Sequence, residues 1–208
     1  MLRFWQGEVG LPFEEVLPTG GGNQQHRHAL NGSVFKLNHA RDPLPVEPPA
    51  GYHELLIARA GIASVRTLAD PDGNAVSLVP PGFRGVTGMG ITVRVASLEA
   101  AGRYYGGALG FEEVEPDTFR CGDSLVLLEE EPGRPPAGAM RARGYRYLTV
   151  QVRDADAEFA GIVSRGGTGA SAPRTMGSVA RFGFVRDPDG NWLEISQRAS
   201  LTGALPQD

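Results

Sequence analysis

Apolar and polar residues alternate in two closely similar runs, Ile91-Thr-Val-Arg-Val-Ala-Ser97 and Leu148-Thr-Val-Gln-Val-Arg-Asp154, 57 positions apart. A period of two predicts a β-strand in each. Each run passes at once into a helix start, with Asp154 a good N-cap in the second. Beyond it Ala157, Ala160 and Ile162 or Val163 form an apolar stripe, which predicts a helix over about 154–165. The matching helix in the first run spans about 98–108 and ends before Gly110. Further strands are predicted near 111–121 and 124–130, and near 179–186 and 191–197. Residues 85–198 therefore read as two modules of one strand, one helix and more strands. Between them, EPGRPPAGAMRAR over 131–143 is expected to be a mobile loop.

The repetition extends further. Asp70-Pro-Asp-Gly-Asn74 recurs as Asp187-Pro-Asp-Gly-Asn191, each between apolar strands, which is the pattern of a β-hairpin turn. Phe4-Trp-Gln-Gly-Glu-Val-Gly10 matches Tyr104-Tyr-Gly-Gly-Ala-Leu-Gly110, and both lead into Phe-Glu-Glu-Val. Gly51-Tyr52 matches Gly144-Tyr145. The offset is 93 at that pair and 117 at the DPDGN turns. The first copy thus lacks about 24 residues between them, enough for a helix and a strand. Met1 stands where the helix of the first copy would begin, so the strand before it has no counterpart. The expected division is an incomplete unit over 1–82, a Gly/Pro-rich linker over 83–90, a complete unit over 91–198 and a tail over 199–208.

Composition narrows the functional classes. With 208 residues, 41% hydrophobic and 21% charged, the chain can bury a core. A net charge of −4 offers nothing to a phosphate backbone, so nucleic acid is not an expected partner. The N-terminus lacks the apolar run of a secretion signal, and no stretch approaches a membrane span. The single cysteine, Cys121, excludes an internal disulfide and fits a reducing, cytoplasmic setting. It reads as a buried small hydrophobe rather than a nucleophile, because no histidine is near it in sequence.

Tandem βαβββ modules, a Leu-Gly-Phe corner at 109–111 and the closing strand after Asp187-Pro-Asp-Gly-Asn191, with Glu194 inside it, resemble the vicinal oxygen chelate superfamily. That superfamily includes glyoxalase I, bleomycin-resistance proteins and extradiol dioxygenases. The resemblance implies an α+β fold in which modules curl into cup-shaped half-barrels, here with the first copy incomplete. It also implies a divalent metal gripped by residues on the first and last strand of each module. Carried onto this sequence, those positions fall on Gly90 and Leu127 in one module and on Tyr147 and Glu194 in the next. In the first copy they fall on Lys36, on Glu54 (or His53 with a one-residue slip) and on Ser77. Only Glu194, among the four positions of the second copy, keeps an oxygen ligand, and residues 54–208 contain no histidine.

Several side chains remain as candidates. Glu194 reads as a residual ligand, a general acid or base, or a carboxylate paired with an arginine. Tyr147 could donate a hydrogen bond to a ligand, Lys36 could meet an anionic one, and Glu54 completes the ligand-binding set. His26 and His28 are two apart and share a strand face, and with His39 they could gather three imidazoles. The expectation is a protein of sequestering or resistance type that binds a small organic molecule in its cup, with no cofactor. The alternative is a divalent-metal enzyme, either a glyoxalase-like lyase or isomerase or an extradiol-type dioxygenase. In it the ion is held by His26, His28 or His39, or by Glu194 with a partner chain. A missing strand would leave an open sheet edge, so a homodimer is expected.

Overall fold

A computed structural model describes residues 1–206. The chain begins with a π-helical turn at Phe4–Glu8 and an antiparallel meander of β1 (Phe13–Gly20), β2 (Asn23–Leu30) and β3 (Ser33–Ala40). β4 (Tyr52–Ala58), β5 (Arg66–Ala69) and β6 (Ala75–Val79) follow without a helix. Next come β7 (Met89–Val95), α1 (Leu98–Gly102) continuing as a π-helical turn at Arg103–Ala108, and β8 (Glu112–Glu115), β9 (Thr118–Cys121) and β10 (Ser124–Glu130). The last repeat is β11 (Tyr147–Gln151), α2 (Ala155–Ser164), β12 (Thr168–Met176), β13 (Ala180–Arg186) and β14 (Trp192–Arg198), closed by α3 (Ala199–Thr202). The chain is mixed α+β, made of four βαβββ repeats of which two are complete. Among the described residues the first repeat begins at its π-helical turn, and the second has no helix or strand between β4 and β5.

Local chemistry sets the element boundaries. Asp154 caps α2 by accepting from the Ala157 N–H at 2.9 Å, and Ser97 caps α1 by accepting from Ala100 at 3.3 Å. Each DPDGN turn is wound around its first aspartate. The Asp70 carboxylate accepts from the N–H groups of Asp72 and Asn74, and the Asp187 carboxylate from those of Asp189 and Asn191. Gly73 and Gly190 supply the left-handed φ of 85° and 77° that the turn requires.

The strands form three sheets. β4–β10 build one seven-stranded sheet in the order β5-β6-β4-β7-β10-β9-β8, joined by the antiparallel β4–β7 pair. This sheet runs straight across 83–90, the stretch expected to be a linker. β11–β14 make a four-stranded sheet in the order β11-β14-β13-β12, and β1–β3 make a three-stranded one. Two cups result, one from the second and third repeats and one from the first and fourth. The strands of 91–198 accordingly fall into two sheets. The reason is the pairing edge: β7 is hydrogen-bonded to β4 along one side and β10 along the other, and has no edge left for β11.

The main core lies on the helix side of the sheets. There Leu55, Ile57, Val76, Ile91, Val93, Val126, Leu193 and Ile195 pack against Tyr105, Phe119 and Ile162. Trp5, fully buried on the N-terminal π turn, covers β3 by stacking on Phe35 with ring centroids 4.0 Å apart. No described helix is long and apolar enough to cross a membrane.

Candidate functional site

The two cups have opposite linings. In the seven-stranded sheet the concave face carries Leu56, Ala58, Val79, Val86, Leu125 and Leu127, which pack into a second apolar cluster. Two of the metal positions expected from the sequence, Gly90 and Leu127, are part of this packing. A Cβ on Gly90 would come within 2.8 Å of Val86 and 3.0 Å of Leu127, so a larger residue there would require those side chains to shift. Glu54 and Ser77 meet in the same cup and hydrogen-bond each other, and Ser77 also bonds Thr67 at 2.6 Å. His53 points elsewhere and bonds the Arg94 guanidinium at 2.8 Å. Glu54 is therefore not brought to Glu194 or Lys36.

Lys36, Tyr147 and Glu194 do converge, in the other cup. Lys36 Nζ donates to Glu194 Oε2 at 2.8 Å and to Thr149 Oγ1 at 2.7 Å, and the Thr149 hydroxyl donates to the same carboxylate oxygen at 2.8 Å. The two charged side chains are only 13% and 12% exposed. The partner of Glu194 is thus a lysine rather than the arginine the sequence suggested. The sheet pairings explain the meeting. Thr149 lies directly opposite Glu194 on β11 and β14, while Lys36 reaches across from β3. Burial pulls the Lys36 pKa below its ordinary value, and the Glu194 carboxylate opposes that pull.

Tyr147 extends the cluster. Its hydroxyl accepts from Asn38 Nδ2 at 3.0 Å and from Gln25 Nε2 at 3.4 Å, and its ring is 5.5 Å from Lys36 Nζ. Burial, reinforced by Glu194, pushes its pKa up to about 12, so it stays a neutral phenol at ordinary pH. Behind it Phe184 stands edge-on at 6.1 Å and Phe182 and Trp192 each follow at 6.0 Å, which gives the cup an aromatic wall.

Sequence reasoning missed Gln25, Arg27, Asn38, Thr149 and Arg198. Arg27 is 8% exposed, bonds Gln25 at 3.1 Å and shares Glu15 with Arg198 at 3.2 and 3.9 Å. A signal for Arg27 was present. Asn31-Gly32 is a two-residue hairpin turn with both φ positive, 44° and 85°. Such a turn fixes Leu30 opposite Ser33 and hence Arg27 opposite Lys36.

The same register takes the histidines away from this cup. His26 and His28 lie opposite Leu37 and Phe35, on the face turned from Lys36. His28 is fully buried between Phe13 and Phe35 and contacts Gln6 at 3.1 Å; burial lowers its pKa. His26 and His39 are 6.2 Å apart, with His39 exposed. Glu194 and the three imidazoles are therefore on opposite sides of a sheet. Among the described residues no group of three His, Cys, Asp or Glu side chains is placed to hold a metal ion. As a donor set for a divalent cation the Glu194 cluster fits poorly, because its carboxylate already holds an ammonium that would repel the ion. Cys121 is half-buried on β9, and burial raises its thiol pKa.

These features define the family. The model of the Glyoxalase/Bleomycin resistance protein/Dioxygenase superfamily matches residues 90–195, and the chain belongs to that superfamily. Among solved structures the chain is similar to glyoxalase I from Zea mays, at 14% identity and a TM-score of 0.74, covering 96% of this chain and 88% of that one. It is also similar to a "putative dioxygenase" from Bacillus subtilis, at 15% identity and a TM-score of 0.66, covering 94% and 80%. Both likenesses are of fold. No curated protein matches the chain by sequence.

Proposed function

We propose that this chain is a small-molecule-binding member of the superfamily that works without a metal, and that the cup between β1–β3 and β11–β14 is its recognition site. One observation carries the reading: the Lys36 ammonium bonds the only carboxylate at the expected metal positions of 91–198, Glu194, and so supplies a built-in positive charge where relatives would place an ion. A fixed ammonium can hold a ligand oxygen, though it cannot offer the several open coordination sites of a metal. Thr149 and Tyr147 present hydroxyls beside it, and the Phe184 wall takes the apolar part of the ligand. Lys36 and Glu194, 2.8 Å apart, are also placed to pass a proton, which makes Glu194 the acid or base if the bound molecule is turned over.

Elemental analysis of protein purified without chelator tests this reading. Divalent metal far below one ion per chain is the expected result. A content near one per chain, lost on Glu194→Gln, would overturn it in favour of a metal-dependent lyase, isomerase or dioxygenase like the named relatives.

The open edge supports a homodimer as part of the same reading. Phe35, Leu37, Leu148 and Val150, which a strand between β3 and β11 would cover, are only partly buried. Their equivalents Val126, Leu128, Ile91 and Val93 are buried. Light scattering is expected to give twice the 22.1 kDa chain mass, and a mass of one chain would refute the dimer.

A further inference from the structure

Resting on that cup as the binding site, we infer that its ligand is a small aromatic carboxylate. The charge balance is the first observation. Arg27, Lys36 and Arg198 converge on the cup with side chains 8%, 13% and 19% exposed, and they are close enough to lower one another's proton affinity. The carboxylates in ion-pair contact with these three little-exposed cations are Glu15 and Glu194, and Glu14, exposed on β1, adds only a more distant negative field on Arg27. Among the described residues Arg198 has as its carboxylate contact only the distant 3.9 Å one to Glu15, and Arg27 beside it is a like charge. An uncompensated cation at low exposure is costly, and a bound monoanion would offset it.

The second observation is a free donor. Tyr147 accepts two amide N–H groups, and its own hydroxyl proton has no acceptor among the described residues. A phenol held neutral by burial, next to an ammonium, is suited to donate to a carboxylate oxygen. The third is the wall itself. Tyr147, Phe184 and Trp192 present ring faces and edges at 6.0–6.1 Å spacing, a surface that selects a flat apolar body. Further cations, Arg186 at 3.8 Å over Trp192 and Arg174 at 5.5 Å over Phe182, keep the rim positive. The overall chain is acidic, so this basic lining is local to the cup.

Benzoate and phenylacetate should be titrated into the full chain beside their neutral amides, benzamide and phenylacetamide, following backbone amide resonances by NMR. At least one acid is expected to bind about tenfold or more tighter than its amide, the effect of one charge-assisted hydrogen bond. The shifts should centre on Lys36, Tyr147 and Thr149. Arg198→Gln should remove most of the acid's advantage over its amide. Acid and amide binding equally in the cup would overturn the inference while leaving the cup reading intact. Shifts confined to other surfaces, or none with either acid, would also overturn it. A stoichiometric metal in the protein would instead remove the reading on which it rests.

Discussion

The two cups share one backbone plan and differ in what fills them. Leu127 on β10 is paired with Thr92 on β7 in the register that pairs Glu194 on β14 with Thr149 on β11. In one cup the pair is an aliphatic chain and a buried hydroxyl, Thr92 Oγ1, which finds no hydrogen-bond partner among the described residues. In the other the same two places hold a carboxylate and a hydroxyl bonded to it, with Lys36 as counter-charge. The first cup has been turned into core, closed by the β4–β7 pair and plugged by Val86. The second keeps a polar interior around the Lys36–Glu194 pair. Within one chain, the same two positions serve apolar packing in one cup and a buried ion-pair cluster in the other.

The largest expected effect comes from forcing the filled cup to resemble the other. Leu127→Glu places an unpaired carboxylate at a position 2% exposed, with no cation across from it. Chemical denaturation should show a loss of about 4 kcal/mol, the order of an uncompensated buried ion. A near-neutral result would mean that this cup is wetter than its apolar lining implies.

Breaking the polar cup ranks next. Lys36→Met strands Glu194 and should cost about 3 kcal/mol, whereas the double variant Lys36→Met/Glu194→Leu should return most of that loss. A double variant no better than the single one would show that the pair is held for more than charge balance. Because burial lowers the Lys36 pKa below its ordinary 10.5, the unfolded chain binds that proton more tightly than the folded one. Stability should therefore rise with pH from the folded pKa up to 10.5, and the rise attributable to this group should vanish in Lys36→Met.

The smallest and sharpest test is a matched pair. Thr92→Val removes an orphaned hydroxyl and should stabilise by about 1 kcal/mol, while Thr149→Val removes a bonded one and should destabilise by about 1 kcal/mol. Shifts of the same sign in both would erase the distinction between the cups.

Much of the fold was legible in the chain. Repeated alternation at 91–95 and 148–152, the Asp154 cap and the twin DPDGN turns gave the repeats and their boundaries to within a few residues. The offset between copies revealed the missing helix and strand. Which repeats share a cup was not legible, since that depends on β4 meeting β7 along an edge, a contact that leaves no periodic trace. Lys36, Tyr147 and Glu194 were legible through the metal positions that the family resemblance implies. Arg27 and Gln25 required the Asn31-Gly32 turn to set the register, and the same register shows why His26, His28 and His39 lead away from the cup. Arg198 and Asn38 are ordinary in sequence and become informative only through what stands across from them.

The π-helical turns carry a historical consequence. Phe4–Glu8 closes with the Val9 N–H on the Phe4 carbonyl, and Arg103–Ala108 with the Leu109 N–H on the Tyr104 carbonyl. Such a widened turn accommodates one inserted residue. It occurs at matching places in the first and third repeats, and α2 of the fourth is regular. One insertion made before the ancestral gene segment was copied accounts for both more economically than two made afterwards. By that reckoning the doubled unit was already a pair of unlike halves, and the first and third repeats are nearer kin than the third and fourth.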